Sequence, residues 1–296
     1  MMRKYDRGIV YLNIILWWIA GMGCQEKADP FRPDQRLPEP EKGWKLVWND
    51  EFTTDGKPDS LKWNYEHGFV RNKELQYYQQ ENAVCKGGVL IINGKREKVP
   101  NEQYDPISTD WRKSRDSATY TSACLITRGR AHWRYGRFDI RARIDTCLGL
   151  WPAIWTLGIQ KEWPSNGEID IMEYYRYKGK PAILANTAWG SGERWKAIWN
   201  TQTYPLEEIT GKDKAWADKF HLWRMDWDEN FIRIYLDGKL LNETDLSKTI
   251  NPDGFHPFRQ SHYLLLNLAI GENGGDPSGT PFPVKSEIDY VRIFQR

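Results

Sequence analysis

The 296-residue chain is poor in metal-holding side chains, with five His and four Cys. These residues form no cluster and no loop is rich in Asp, so neither a zinc centre nor an EF-hand organises the fold. Charge of one sign is missing too. Against 42 Lys and Arg stand 40 Asp and Glu, and with residues 1–23 set aside 39 of each remain. Such a balance gives no basis for binding nucleic acid or other polyanions. After Trp44 no twelve-residue stretch repeats apolar positions at helical spacing, which excludes a helical bundle. No internal period is present, so solenoids and propellers are excluded. The one long apolar run, Ile9 to Gly23, has about 15 residues, short of the roughly 20 that span a bilayer.

That run follows Arg3, Lys4 and Arg7 and ends at Cys24, the order of an export signal. Cys24, preceded by the small residues Gly21 and Gly23 with Met22 between them, resembles a bacterial lipoprotein processing site. The resemblance implies removal of residues 1–23 and a lipidated Cys24 that holds an exported protein at the cell surface or in the periplasm. The alternative is an ordinary signal peptide. Residues 24–42 carry Pro30, Pro33, Pro38 and Pro40 among charged residues and read as an extended tether. Residues 43–296 read as one domain. Cys85, Cys124 and Cys147 remain, so at least one thiol is unpaired within the chain. A Cys85–Cys124 bridge and buried free thiols are both open.

What the chain has in abundance is aromatic residues and strands. Sixteen Trp and 15 Tyr exceed the needs of packing and suit a surface that recognises flat apolar faces, such as those of sugars. Phe138, Ile140, Ala142 and Ile144 alternate with Arg137, Asp139, Arg141 and Arg143, the pattern of a half-buried strand. Val89–Ile92 is apolar on both faces. Phe231–Leu236 runs into Asp237-Gly238, a two-residue hairpin turn. These features predict an all-β sandwich of two sheets.

The organising stretch is Gly167-Glu168-Ile169-Asp170-Ile171-Met172-Glu173-Tyr174-Tyr175. On a strand, Glu168 and Asp170 share one face and Ile169 and Ile171 the other. Glu173 joins the acids only if a bulge at Ile171-Met172 sends both of those inward. Two glutamates so placed lean to a carboxyl separation of about 5–6 Å, that of a retaining glycosidase pair rather than the roughly 6.5–9.5 Å of an inverting one. Three adjacent acids cannot all stay ionised, so one should hold its proton above the usual glutamate value of about 4.3. The competing explanation is an edge strand whose acids serve only solubility. Trp151, Trp155 and Trp163, close by in sequence, argue against it.

The run Glu-Ile-Asp-Ile-Met-Glu, with Gly149-Leu150-Trp151-Pro152-Ala153-Ile154-Trp155, Tyr135-Gly136-Arg137-Phe138, Asn72-Lys73-Glu74-Leu75-Gln76-Tyr77-Tyr78 and Asp289-Tyr290-Val291-Arg292-Ile293, closely resembles glycoside hydrolase family 16 in its laminarinase-like branch. The resemblance implies a β-jelly roll of two curved antiparallel sheets with an open cleft. It implies Glu168 as nucleophile, Glu173 as general acid/base and Asp170 as the residue tuning the nucleophile. Trp133, Trp151 and Trp155 are expected as sugar platforms, each with a place in the core as its alternative, and Asn72 and Arg137 as hydroxyl binders, with a salt-bridged surface position as the alternative for Arg137. Trp189 stands where a histidine is usual and is expected on the leaving-group side. The family implies no catalytic cofactor but a structural calcium, here at Glu51, Gly88 and Asp289. The expected protein is a monomeric endo-β-glycosidase acting on a polysaccharide, first of all β-1,3-glucan. Alternatives are an endo-β-galactosidase on mucin-type or agar-like galactans and a non-catalytic glycan-binding protein.

Overall fold

A computed structural model describes residues 28–34, 36–37 and 39–296. The alternating stretches become β1 (Lys45–Asp50), β2 (Asn64–Tyr65), β3 (Gln76–Tyr78), β4 (Ala83–Lys86), β5 (Val89–Gly94), β6 (Val99–Pro100), β7 (Ser117–Ala118), β8 (Tyr120–Ser122), β9 (Cys124–Ile126) and β10 (Gly136–Ile144). There follow β11 (Leu150–Gly158), β12 (Glu168–Tyr177), β13 (Lys180–Gly190), β14 (Ala197–Pro205), β15 (His221–Trp227), β16 (Phe231–Leu236), β17 (Lys239–Asp245), β18 (His262–Ile270) and β19 (Val284–Gln295). Two large antiparallel sheets result, beside the two-stranded pairs β3-β8 and β6-β7. The first has the order β17-β16-β15-β10-β19-β5-β4, with β1 also on β19; the second runs β14-β13-β12-β11-β18-β9-β2. The fold is the all-β jelly-roll class that the sequence predicts.

Between the sheets lies the core. Phe138, Ile140, Ala142 and Ile144 of β10 share one buried cluster with Ile154 of β11, Ile169, Ile171 and Met172 of β12 and Leu266 of β18. Each large side chain so buried stabilises the fold by about 1.5–3 kcal/mol. On the opposite face of β10 the charges are matched across strands. Asp139 lies opposite Arg224 in register and accepts two hydrogen bonds from it at 2.6 and 2.7 Å. Arg143 likewise donates to Glu287. Asp237 and Gly238, both at positive φ, turn β16 into β17, with Leu236 paired to Lys239.

One expectation is corrected here. Residues 28–34 and 36 are not a free tether, because they dock on the outward face of the first sheet. Arg141 donates to the carbonyls of Asp29 and Arg32 at 2.6 and 2.9 Å, Arg292 to that of Arg36 at 2.7 Å, and Asp34 N–H to Asp289 at 2.9 Å. A proline-rich segment has carbonyls with no partner of their own, and arginines are pure donors. The alternative left open for the thiols is also decided. Cys85 and Cys124 are both free and buried, on β4 of one sheet and β9 of the other. Cys24 and residues 1–23 lie outside the described residues.

Candidate active site

The acids stand on the face of the second sheet that is turned away from the core. Gly167, at φ +79°, feeds β12, and a Cβ there would meet Pro257 at 2.8 Å, so only glycine fits. Along β12 the register with β13 shifts between Asp170 and Glu173. This is the bulge that buries Ile171 and Met172 together and returns Glu173 to the face of Glu168 and Asp170. Cross-strand pairing then lays out three rows. Glu168 is flanked by Ala188 and Leu157, Asp170 by Asn186 and Trp155, and Glu173 by Leu184 and Ala153.

Each carboxylate has dedicated donors. Trp163 Nε1 donates to Glu168 Oε2 at 2.7 Å, and Trp151 Nε1 to Glu173 Oε1 at 2.9 Å. Asn186 Nδ2 bridges Glu173 Oε2 at 2.7 Å and Asp170 Oδ2 at 3.1 Å. The loop presenting Trp163 is held by Asn166, whose amide donates to Gly158 O at 3.1 Å, and by Gln260, whose amide donates to Asn166 O at 2.7 Å. Burial, then the charge of Glu168, pushes Glu173 up to about 7. Burial and the charges of both glutamates push Asp170 well above the usual range, and its hydrogen bond with Glu168 raises it further. Burial raises Glu168 as well, opposed by its hydrogen bonds from Trp163 and Asp170 and by the nearby Arg71 guanidinium. One face thus holds Glu173, pushed up to about 7, beside Glu168, which is supplied with donors that favour its ionised form.

The far wall is the segment 66–78. Trp155 Nε1 donates to Asn267 Oδ1 at 2.7 Å, and Asn267 Nδ2 donates to Tyr78 Oη at 3.1 Å. Gln76 and Asn72 both donate to the buried Glu74, which leaves Asn72 exposed at the rim. The Arg71 guanidinium lies 4.9 Å over the Trp155 ring and is ion-paired with Glu66.

Of the residues singled out from sequence, the structure brings Glu168, Asp170, Glu173, Trp151 and Trp155 onto one face, with Asn72 at its rim. It separates three others. Trp133 packs in the core, edge-on to Trp48 at 5.3 Å and Phe138 at 5.7 Å. Arg137 lies on the outward face of the first sheet, bonded twice to Asp226, at 2.7 and 3.0 Å, and paired with Glu41 at 2.9 Å. Trp189 points between the sheets, because Asn186 and Ala188 of the same strand face the acids; it packs edge-on to Phe258 at 6.4 Å. Asn186 and Trp163 were visible in the sequence without a role. Strand pairing shows what Asn186 touches, and the loop between β11 and β12 what Trp163 touches.

The expected calcium residues do not fit a cation. Glu51 accepts from Arg292 at 2.8 and 3.0 Å, and Asp289 from Arg141 and from Asp34 N–H. Gly88 lies in the β4–β5 turn. Two guanidinium groups therefore stand where a divalent ion would need carboxylates free. Among the described residues no group of three His, Cys, Asp or Glu is placed to hold a metal.

Comparison with known proteins gives the family. The sequence profile of glycosyl hydrolases family 16 matches residues 73–292. The chain is 34% identical over 278 residues to a beta-glucanase of Rhodothermus marinus, covering 85% of each. One similar solved structure comes from work on endo-acting O-glycanases with which prominent members of the human gut microbiota initiate mucin breakdown. It has TM-score 0.78 and 33% identity, over 89% of this chain and 94% of that one. Another is the laminarinase catalytic domain from Thermotoga maritima, at TM-score 0.70 and 30% identity, covering 86% of this chain and 98% of that one. With the family profile spanning most of its length, the chain is a glycoside hydrolase and belongs to glycosyl hydrolases family 16.

Proposed function

We propose that this hydrolase is an endo-acting, retaining β-glycosidase in which Glu168 is the nucleophile, Glu173 the acid/base and Asp170 the proton donor that tunes Glu168. The observation that carries the reading is the unequal treatment of the two glutamates. Glu173 is held protonated up to a pH of about 7, while Glu168 receives hydrogen bonds from Trp163 and Asp170. In the first step Glu168 attacks the anomeric carbon as that carbon's bond to the leaving oxygen breaks, and Glu173 gives its proton to that oxygen. In the second, ionised Glu173 takes a proton from water, which attacks the same carbon and frees Glu168. Two inversions give net retention.

The substrate proposed first is a neutral β-glucan of the β-1,3-linked, laminarin type, supported by likeness to the Rhodothermus beta-glucanase and the Thermotoga laminarinase. A second reading, cleavage of galactose-containing mucin-type glycans, is favoured by the likeness to the O-glycanase structure. Export and lipid anchoring through Cys24 complete the proposal, supported by the basic, apolar and small-residue segments before that cysteine. Mass spectrometry of the mature N-terminus tests this.

The mechanism is tested by proton NMR of the first-formed product and by azide rescue on an activated aryl glycoside. The β-anomer should appear first from wild-type enzyme. Azide should restore Glu168→Ala with an α-glycosyl azide and Glu173→Ala with a β-glycosyl azide, because the surviving carboxylate sets the face of attack. An α-anomer from the wild type overturns the assignment. Digestion of laminarin and of mucin O-glycans in parallel decides between the substrates.

A further inference from the structure

The three-row floor extends past the acids to an aromatic residue that sequence spacing does not single out. In β14 the side chains of Asn200 and Tyr204 point to the first sheet. Asn200 donates to Asn242, Glu243 O and Thr244 at 2.9–3.2 Å, and Tyr204 Oη donates to Leu241 O at 2.6 Å. The odd-numbered Trp199, Thr201 and Thr203 must then face the other way, onto the face of the acids. Register places Trp199 opposite Ala188 and Ala188 opposite Glu168. Between the indole and the candidate nucleophile stands one methyl group, and their backbones are two strand spacings, roughly 10 Å, apart.

Trp199 is also the tryptophan of this floor that is free to be covered. It is 46% exposed, against 9% for Trp151 and 8% for Trp155, whose ring lies under Arg71. A large apolar ring left open on an edge strand adds nothing to the core and invites association. Trp195, 55% exposed, stands in the turn that leads into the same strand. That turn is tied to the loop carrying Trp163 by the Arg194–Glu162 pair.

We propose that Trp199 is a stacking platform for a pyranose unit of a neutral glycan, forming a subsite on the β14 side of the acids. The proposal rests on reading this face as a glycan-cleaving site. A sugar there lays its apolar C–H face on the indole while the adjoining units cross the small Ala188 toward Glu168. The exposed position means that Trp199→Ala should fold as the wild type does, which its melting temperature checks.

The test is calorimetric binding in a Glu168→Gln background, which suppresses cleavage. The probes are laminari-oligosaccharides or poly-N-acetyllactosamine oligosaccharides, whichever class the wild type degrades. Adding Trp199→Ala should weaken binding about three- to tenfold, and Trp199→Phe should stay within about twofold. With Glu168 intact, KM for the polymer should rise by a similar factor. Unchanged Kd and KM in Trp199→Ala, with normal cleavage by the wild type, overturn this proposal alone. A dimer in analytical ultracentrifugation that Trp199→Ala dissociates without changing sugar binding overturns it in favour of a second copy of the chain. A wild type that cleaves no glycan overturns the functional reading and this subsite together.

Discussion

Replacing Glu168 by Gln should move the titration of Glu173. Burial is the larger cause of its rise to about 7, and the Glu168 charge is the next. Gln keeps the size of the side chain and removes only the charge. Two unit charges roughly 6 Å apart, the spacing of a retaining pair, interact by about 2.8 kcal/mol at an effective dielectric near 20. At about 1.4 kcal/mol per unit this bounds the fall at about two units, so a drop of about one to two units is expected. The assay is carbon-13 NMR titration of δ-labelled glutamate in both proteins, with the basic limb of the wild-type kcat/KM profile as a second reading of the same group. Stability carries the same information. A carboxyl raised in the folded state contributes fully below its unfolded value, and that contribution is lost as pH rises through about 7. Glu168→Gln should therefore be more stable than the wild type at pH 8, by about 1.4–2.8 kcal/mol. Glu173 titrating near 4.5 in the wild type, or unmoved in Glu168→Gln, refutes the reasoning.

Trp163→Phe removes the indole N–H from Glu168 Oε2, a bond to a charged acceptor worth about 1.5–3 kcal/mol. kcat/KM should fall about 10- to 100-fold and the acid limb of the pH profile should move up; an unmoved limb would falsify the orienting role of that bond. Trp189→His, which a cleft position would make a specificity change, should instead lower the melting temperature, because it leaves a cavity and a polar ring beside Phe258 at a cost of about 2–4 kcal/mol. Altered substrate preference at unchanged stability would count against its core position. Chelation by EDTA should leave the melting temperature unchanged, whereas Arg141→Met, which strands the buried Asp289 carboxylate, should cost about 3–5 kcal/mol. Differential scanning calorimetry separates the two, and a large EDTA effect would restore a cation to this face.

The acid-bearing strand was legible because its information is local. Alternation within Glu168–Glu173 leaves one acid on the wrong face, and one extra residue at Ile171-Met172 repairs it. Hairpin chemistry at Asp237-Gly238 and the two-faced pattern of β10 are equally local, and the sandwich of two sheets follows from them. The tryptophans were not legible in this way. Trp151 and Trp189 both sit in strands beside the acids, yet one donates to Glu173 and the other packs on Phe258. Trp199, which carried no signal of its own, faces the acids. Strand parity decides each case, and parity is set by register with neighbouring strands and by bulges in them. The two alternatives for Arg137 could not be separated for a related reason, since its partner Asp226 is 89 residues away. The same holds for Glu51 and Asp289, whose charges are matched by Arg292 and Arg141 from strands distant in sequence or by a strap that composition made look free. Composition and period settle what a strand is made of; which surface its side chains reach depends on long-range pairing, whose energy is gained only when the sheets close.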